Sequence, residues 1–290
     1  MSAAGDVTAV VVNYNARALL LQCIESLRDE GVDDVIVADN ASADGSEEAV
    51  RAADAAVRYH QTGRNLGYGT GVNRGVSFAG GDTAYLLICN PDIVVAPGAV
   101  EALVSSIEKD PQRAIVGPRI EEPDGTLYPS ARTFPDLADA VGHAFLGMIW
   151  PRNPFTRRYR MLDWDHAEPA EVDWVSGSCF LMRRDAFEAI GGFDEAYFMY
   201  AEDVDLCWRV RQAGWTVAYE PGALVTHVQG ASTDRHPYWM IAEHHKALLR
   251  FARKTTTGRK RLLLPLMAVG LALRTPIAWG HRYLAGRKVK

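Results

Sequence analysis

The chain has 290 residues, 48% of them hydrophobic and 25 of them glycine. That is enough apolar material for a core of ordinary density, in one large domain or one domain with an appendage, and it excludes a disordered segment. The net charge of −5 hides an asymmetry: twelve of the 31 Lys and Arg lie in residues 246–290, where there is no Asp or Glu, so that tail carries +12 and the rest, with 19 bases against 36 acids, carries −17.

The chain opens on "VTAVVVNYN", an apolar run that reads as a strand; no charged leader with an apolar stretch behind it precedes it, so nothing here points to secretion. Strand-like "DVIVADN", "AAVRYH" and "AYLLICN" follow, separated by helix-like "ALLLQCIESLRDEG", "DGSEEAVRAA" and "GTGVNRGVSFAG". Such βαβ alternation predicts a mostly parallel sheet with helices on both faces. Ligands of such sheets bind at the carboxyl ends of the strands. Polar groups stand there: Asn13, Tyr14 and Asn15 after the first strand, Asp39 and Asn40 after the second, Asn90 and Asp92 after the fourth. One shared pocket is the simplest reading.

The turn after the first strand, "NYNARA", holds no glycine, so the dinucleotide-binding GxGxxG fingerprint is absent, as is the P-loop pattern GxxxxGK[ST]. The later "NLGYGTGVNRG" has glycines at 67, 69 and 71 but Arg74 in place of the next one. It reads either as a flexible loop feeding a helix or as backbone that passes close to a sugar or phosphate. In "LLICNPDIVVAPG" the strand breaks off at Cys89, and Pro91 fixes the backbone between Asn90 and Asp92. The pair suits a hard cation such as Mg²⁺ holding a diphosphate, or else an Asx turn that closes the strand.

The four cysteines, Cys23, Cys89, Cys179 and Cys207, form no CxxC or Cys/His pair at zinc spacing and read as buried reduced thiols. "GGFDEAYFMYAEDVDLCWRVRQAGW" places Glu202, Asp203 and Asp205 at the start of an amphipathic helix, beside an aromatic patch. One acid there serves the helix dipole; three in four residues exceed that need, and one of them could take a proton from an attacking alcohol. In "YEPGALVTHV", His227 leaves a short strand, as a plain polar group or as a metal ligand. The wholly apolar 262–273, "LLLPLMAVGLAL", is interrupted by Arg274 and Pro276 short of the roughly 20 residues of a spanning helix. A helix lying on an anionic membrane surface fits it, against a nucleic-acid-binding arm or a core helix with a basic face.

In order, VVVNYN, VADNASADG, NLGYGTGVN, NPD and FMYAEDVDLCWR resemble the family 2 inverting glycosyltransferases of GT-A fold, over roughly residues 7–228. With the basic, apolar tail read from composition, two parts are expected: a GT-A nucleotide-sugar-binding domain over 1–230, as the resemblance implies, and a C-terminal basic and apolar helical extension over 231–290. The resemblance also implies a nucleotide-sugar donor, a divalent cation (Mg²⁺ or Mn²⁺) on its diphosphate, and one displacement with inversion at the anomeric carbon. Residue by residue, Asp39 would hold the pyrimidine base, Asn13, Tyr14, Asn15, Asn65, Gly67, Asn90 and Asp92 would line the donor site, Asp92 and His227 would meet the metal, and Asp203 would be the general base. Many relatives carry aspartate where this chain has Asn90. The segments "DGTLYPSARTFPDL", "WPRNPFTRRYR" and "WVSGSC" resemble more narrowly the actinobacterial rhamnosyltransferases of that family, which build the linker between peptidoglycan and arabinogalactan. This branch implies dTDP-β-L-rhamnose as donor, a polyprenyl-diphosphate-linked N-acetylglucosamine acceptor, an α-1,3 product, no nucleic-acid partner, and a peripheral place at the cytoplasmic face of the plasma membrane. Arg152, Arg157 and Arg158 could meet the acceptor diphosphate or form a solvated basic loop; Trp174, Ser176, Gly177 and Glu202 would complete the acceptor side. A transferase of the same fold with another sugar or glycolipid, and a non-catalytic sugar-nucleotide-binding module, stay as alternatives.

Overall fold

The structure, a computed structural model, describes residues 3–81, 83–134, 146, 150–228 and 237–287. The first half of the chain folds as its periodicity dictates: β1 (Val7–Asn13), α1 (Arg17–Asp29), β2 (Asp34–Asp39), α2 (Ser46–Ala53), β3 (Arg58–Gln61), α3 (Tyr68–Ser77) and β4 (Tyr85–Cys89). These four strands are parallel in the order β3-β2-β1-β4. Alternate residues of β1 serve different layers, because successive side chains of a strand point to opposite faces. Val7, Ala9 and Val11 join the core under α1 and α4 (Ala99–Glu108), while Val10 and Val12 join the core under α3.

Beyond β4 the sheet becomes mixed. It adds β5 (Ile93–Val95), β6 (Arg113–Glu121), β7 (Leu127–Tyr128), β9 (Ala170–Val172), β11 (Cys179–Arg183) and the long β12 (Thr216–His227), in the order β4-β11-β6-β12-β5, with β7 on β6 and β9 on β12. Strand β11 runs antiparallel to both β4 and β6, which interrupts the parallel run that alternation predicts. The short strand expected around His227 is the end of twelve-residue β12, which shifts register between Glu220 and Leu224. A separate ribbon pairs β8 (Ala131–Arg132) with β10 (Trp174–Val175). Helices α5 (Pro154–Tyr159), α6 (Arg184–Ala189) and α7 (Glu202–Gln212) fill the connections. The four cysteines are free and buried.

The boundary drawn at 230/231 lies outside the described residues. Beyond it, α8 (Pro237–Thr255) packs its Ala247 and Phe251 into the same core cluster as α3 and α7. Lys254 reaches Asp205 at 2.8 Å and Asp194 at 3.0 Å. Helix α9 (Leu264–Arg287) folds back on α8: Leu271 is buried, His245 Nδ1 lies 2.7 Å from Thr275 Oγ1, Arg274 contacts His245 Nε2, and Trp279 Nε1 donates to Tyr238 O at 2.9 Å. The expected break at Arg274 and Pro276 does not occur. Proline costs the helix one hydrogen bond, and docking on α8 outweighs it. By length and composition, Gly258–Gly280 is therefore apolar enough to cross a membrane. Its outward side chains Leu262, Leu266, Val269, Leu273 and Ile277 are exposed.

Candidate active site

Three clusters of side chains meet at the carboxyl ends of β1, β2 and β4. The first is built on the pairing of β1 with β2, which sets Asn13 beside Asp39. Asp39 is fully buried; its Oδ1 accepts from Asn13 Nδ2 at 2.6 Å and from Ser42 Oγ at 2.5 Å, and its Oδ2 from the Ser42 N–H at 2.8 Å. Asn15 joins through the same hydroxyl, its N–H donating to Ser42 Oγ at 2.8 Å. Asn13 Oδ1 and the Tyr59 hydroxyl are buried without a hydrogen-bond partner among the described residues. An acceptor and a phenol left over beside Asp39 are what a nucleobase edge can use. Ser42 belongs to the VADNASADG segment three residues from Asp39, while Tyr59 carries no motif and only the fold brings it here.

Asn65 and Gly67 form the second wall. Asn65 Oδ1 accepts from the Gly67 N–H at 3.0 Å, and Asn40 Nδ2 donates to Gly67 O at 3.0 Å. Gly67 has φ +86°, and a Cβ there would fall 2.1 Å from the Phe198 carbonyl oxygen. The close approach that requires glycine is thus to the chain's own backbone, not to a sugar or phosphate. Tyr68 N–H donates to that carbonyl at 3.0 Å, and the Tyr68 hydroxyl donates to Gly177 O.

Asp92 and His227 form the third cluster. Antiparallel pairing of β12 with β5 sets His227 opposite Ile93, one residue from Asp92. His227 Nε2 lies 3.1 Å from Asp92 Oδ1 and 3.5 Å from Asn90 Nδ2, and His227 Nδ1 is buried and unpartnered among the described residues. Two ligands of an octahedral ion with bonds of about 2.1 Å sit about 3 Å apart, so the imidazole and carboxylate are at ligand separation for a divalent cation. Among the described residues no three His, Cys, Asp or Glu side chains converge, so such an ion would need oxygens from a bound diphosphate.

Across from these clusters, α7 starts with Glu202 and Asp203. Tyr200 (φ 69°) and Ala201 (φ 59°), both in the left-handed region, set the turn before it. Such backbone costs about 1–2 kcal/mol per residue, and it concentrates at functional sites. Asp203 Oδ2 accepts from the Gly177 N–H at 2.9 Å and Oδ1 from the Val204 N–H at 2.8 Å. Burial raises the Asp203 carboxyl above its ordinary range, against the pull of these two N–H groups and of Arg132. Glu202 is buried with Oε2 unpartnered, and burial, with Asp203 beside it, pushes its carboxyl up to about 8. The two environments assign the roles: Asp203, held by N–H donors, carries the charge, and Glu202 stays protonated at neutral pH. Asp205 is elsewhere, its Oδ2 accepting from Arg209 Nε at 2.7 Å one turn along, as (i, i+4) spacing predicts.

The expected acceptor residues divide. Gly177 borders Asp203, Ser176 Oγ lies 3.0 Å from Ser178 Oγ on either side of it, and Trp174 Nε1 donates to Thr133 O at 2.9 Å. Arg152 is exposed, Arg157 is exposed and ion-paired with Asp163, and the exposed Arg158 lies over the Phe155 ring. Arg132, inside the segment DGTLYPSARTFPDL but not among the expected site residues, lies instead in a slot of Tyr128, Tyr159 and Trp174 rings. The Tyr128 ring in turn meets His227 edge-on at 6.4 Å.

Residues 8–191 match the family profile described as Glycosyl transferase family 2, and residues 164–280 that of Glycosyl transferase family 21. Over 262 residues the chain is 44% identical to the N-acetylglucosaminyl-diphospho-decaprenol L-rhamnosyltransferase of Mycobacterium tuberculosis strain H37Rv, covering 86% of this chain and 84% of that one. It is 29% identical to rhamnosyltransferase WbbL of Escherichia coli K12 over 206 residues, 68% of this chain and 72% of that one. Among solved structures it is similar to GalNAc-T7 with UDP, GalNAc and Mn²⁺ (TM-score 0.60, 19% identity, 78% of this chain and 43% of that one). It is also similar to the mannosyltransferase PcManGT from Pyrobaculum calidifontis in complex with GDP-Man and Mn²⁺ (TM-score 0.57, 16% identity, 98% and 79%).

Glu202 makes stability depend on pH. Its carboxyl, ordinarily near 4.5, holds its proton up to about 8 in the folded protein, so folding takes up a proton between those values. The stability this contributes is complete below about 4.5 and is lost as pH rises through about 8. Urea midpoints measured from pH 5 to pH 8.5 should therefore fall more steeply for the wild type than for Glu202→Gln; equal slopes would refute the protonated assignment.

Proposed function

The chain belongs to glycosyl transferase family 2 and is a glycosyltransferase of GT-A fold, and on that premise we propose that it moves L-rhamnose from dTDP-β-L-rhamnose to a polyprenyl-diphosphate-linked N-acetylglucosamine, forming an α-1,3 bond with inversion. The observation that carries the chemistry is a buried carboxylate, Asp203, held by two backbone N–H groups, one of them from Gly177, whose neighbour Ser178 accepts from the Asn90 N–H beside the Asp92–His227 pair. The near relative that acts as a rhamnosyltransferase on decaprenyl-diphospho-N-acetylglucosamine supports the choice of sugar and acceptor.

In this reading the Asp39 cluster takes the thymine edge. Asp92 and His227 hold a divalent cation, Mg²⁺ or Mn²⁺, which when bound supplies positive charge to the diphosphate of the departing dTDP. Asp203 removes the proton from the acceptor hydroxyl as that oxygen attacks the anomeric carbon on the face opposite the diphosphate. Gly177 and Val204 keep the carboxylate aimed and ionised, and protonated Glu202 adds no second charge beside it. Asn90 contributes at most an amide oxygen, a weaker partner for a hard cation than a carboxylate.

The GT-A domain spans 1–230 in this proposal, and the helical extension beyond it carries the membrane contact. The outward face of α9 is apolar and flanked by Arg259, Lys260 and Arg261. Its other side lies on α8, itself seated in the core, so α9 lies along an anionic bilayer surface better than it spans one. The enzyme would then meet its lipid acceptor peripherally, at the cytoplasmic face.

Three measurements bear on these assignments. Asp203→Asn keeps shape without basicity and should lower turnover by about 10²–10⁴ with donor affinity nearly unchanged, while Asp205→Asn should act mainly on thermal stability. A turnover within tenfold of wild type for Asp203→Asn, beside an inactive Glu202→Gln, would move the base one residue earlier. EDTA should silence the enzyme until Mg²⁺ or Mn²⁺ is restored, and Asp92→Ala should weaken donor binding more than Asn90→Ala; full activity in EDTA rules out the cation. Truncation after residue 256 retains α8 and should leave a folded domain that binds dTDP-rhamnose but sediments poorly with anionic vesicles. High salt should likewise weaken vesicle binding of the full chain, and unchanged sedimentation after truncation would remove the membrane role.

A further inference from the structure

Two guanidinium groups lie on the base side of the pocket without a carboxylate at ion-pair distance among the described residues. Arg132, half-buried on β8, has its guanidinium carbon 4.8 Å from the Trp174 ring centre, 5.5 Å from that of Tyr128 and 5.8 Å from that of Tyr159. Its Nε donates to Pro129 O at 2.7 Å and its Nη2 to the Tyr128 hydroxyl at 3.0 Å, so its orientation is set from two sides. Arg160, at the end of α5, is also half-buried, and its Nε is buried without a partner among the described residues. Burial and then Arg132 push the Arg160 guanidinium down, a mark of two cations sharing one region. Against the cost of burial, the Tyr128 and Tyr159 rings and the Asp203 carboxylate favour the charge on Arg132. Arg160 has no carboxylate at ion-pair distance among the described residues, and two like charges in partial burial favour a further anion beside them.

The surroundings say which anion. Trp174, which floors the Arg132 slot, is separated by two residues from Gly177, whose N–H holds Asp203. Tyr128, its wall, also meets the His227 ring edge-on. The donor diphosphate belongs with Asp92 and His227, so the arginine pair is left for a second anion, one carried by the molecule whose hydroxyl reaches Asp203. The body of the protein carries −17, so a doubly charged acceptor needs local cations to approach. Arginine forks suit paired phosphate oxygens.

The geometry points to Arg132 and Arg160 as the subsite for the acceptor's diphosphate, which would fix the sugar hydroxyl over Asp203. This assignment rests on the polyprenyl-diphosphate reading above, and it displaces Arg152, Arg157 and Arg158 from that role.

The test compares two acceptors, a short-chain polyprenyl-diphospho-N-acetylglucosamine and octyl N-acetylglucosaminide, which lacks phosphate. Wild type should strongly prefer the first. Arg132→Met, which keeps the stem in the aromatic slot, and Arg160→Gln should each lower the ratio of kcat/KM between the two acceptors by about 10- to 100-fold, mainly through KM. Arg132→Lys, which restores the charge without the fork, should recover part of that ratio. Calorimetry with dTDP-rhamnose should give a donor Kd within about twofold of wild type. A donor Kd raised tenfold or more would hand these arginines to the donor diphosphate, and an equal loss on both acceptors, or none, would reduce them to packing; any of these overturns the inference alone. A wild type that ignores the diphosphate acceptor would overturn the proposed function and this subsite with it.

Discussion

The hydrogen bond from the Gly177 N–H to the Asp203 carboxylate is the constraint around which the pocket is arranged. Gly177 lies in the short link between β10 and β11, and its carbonyl is held by the Tyr68 hydroxyl from the start of α3. Tyr68 N–H is itself tied to Phe198 O, in the loop that delivers Asp203. Three loops far apart in sequence thus close a ring of contacts, and Gly67 is the residue that lets two of them touch. Left-handed backbone at Tyr200 and Ala201 is the strain this closure costs, offset by the packing of α7 beneath it.

Charge placement follows from that geometry. Two adjacent acids at a helix start cannot both be ionised in a buried site, and the donors around Asp203 decide which one is. Glu202, with an unpartnered oxygen, becomes a neutral neighbour. On the far side the Asp92–His227 pair suits a cation that arrives with a diphosphate. Between the two lies the aromatic slot of Arg132, whose Tyr128 wall is shared with His227.

The C-terminal part is less an appendage than its composition implies. Ala247 and Phe251 of α8 belong to the main core, and Lys254 reaches the buried Asp205, so α8 steadies the helix that starts with Glu202 and Asp203. Helix α9, docked on α8 through His245, Thr275 and Leu271, presents an uncovered apolar face. The proposed membrane face and helix α7 are therefore linked through one pair of helices.

The sequence by itself determined what depends on short range. Strand and helix periods predicted β1 to β4 with α1 to α3 between them, the polar residues at the strand ends, and the Asp205–Arg209 pair one helical turn apart, because each is set by neighbours within a few residues. Tertiary structure alone decided the rest: antiparallel β11 inside the sheet, Tyr59 beside Asp39, the backbone of Phe198 against Gly67, and α9 running on through Pro276. Arg132 is the clearest case. Its slot joins Tyr128, Tyr159 and Trp174 from three segments that the sequence marks one by one, but nothing in their spacing says that the three rings close around this guanidinium. Ring contacts and burial are properties of packing, and packing is settled only when distant segments meet.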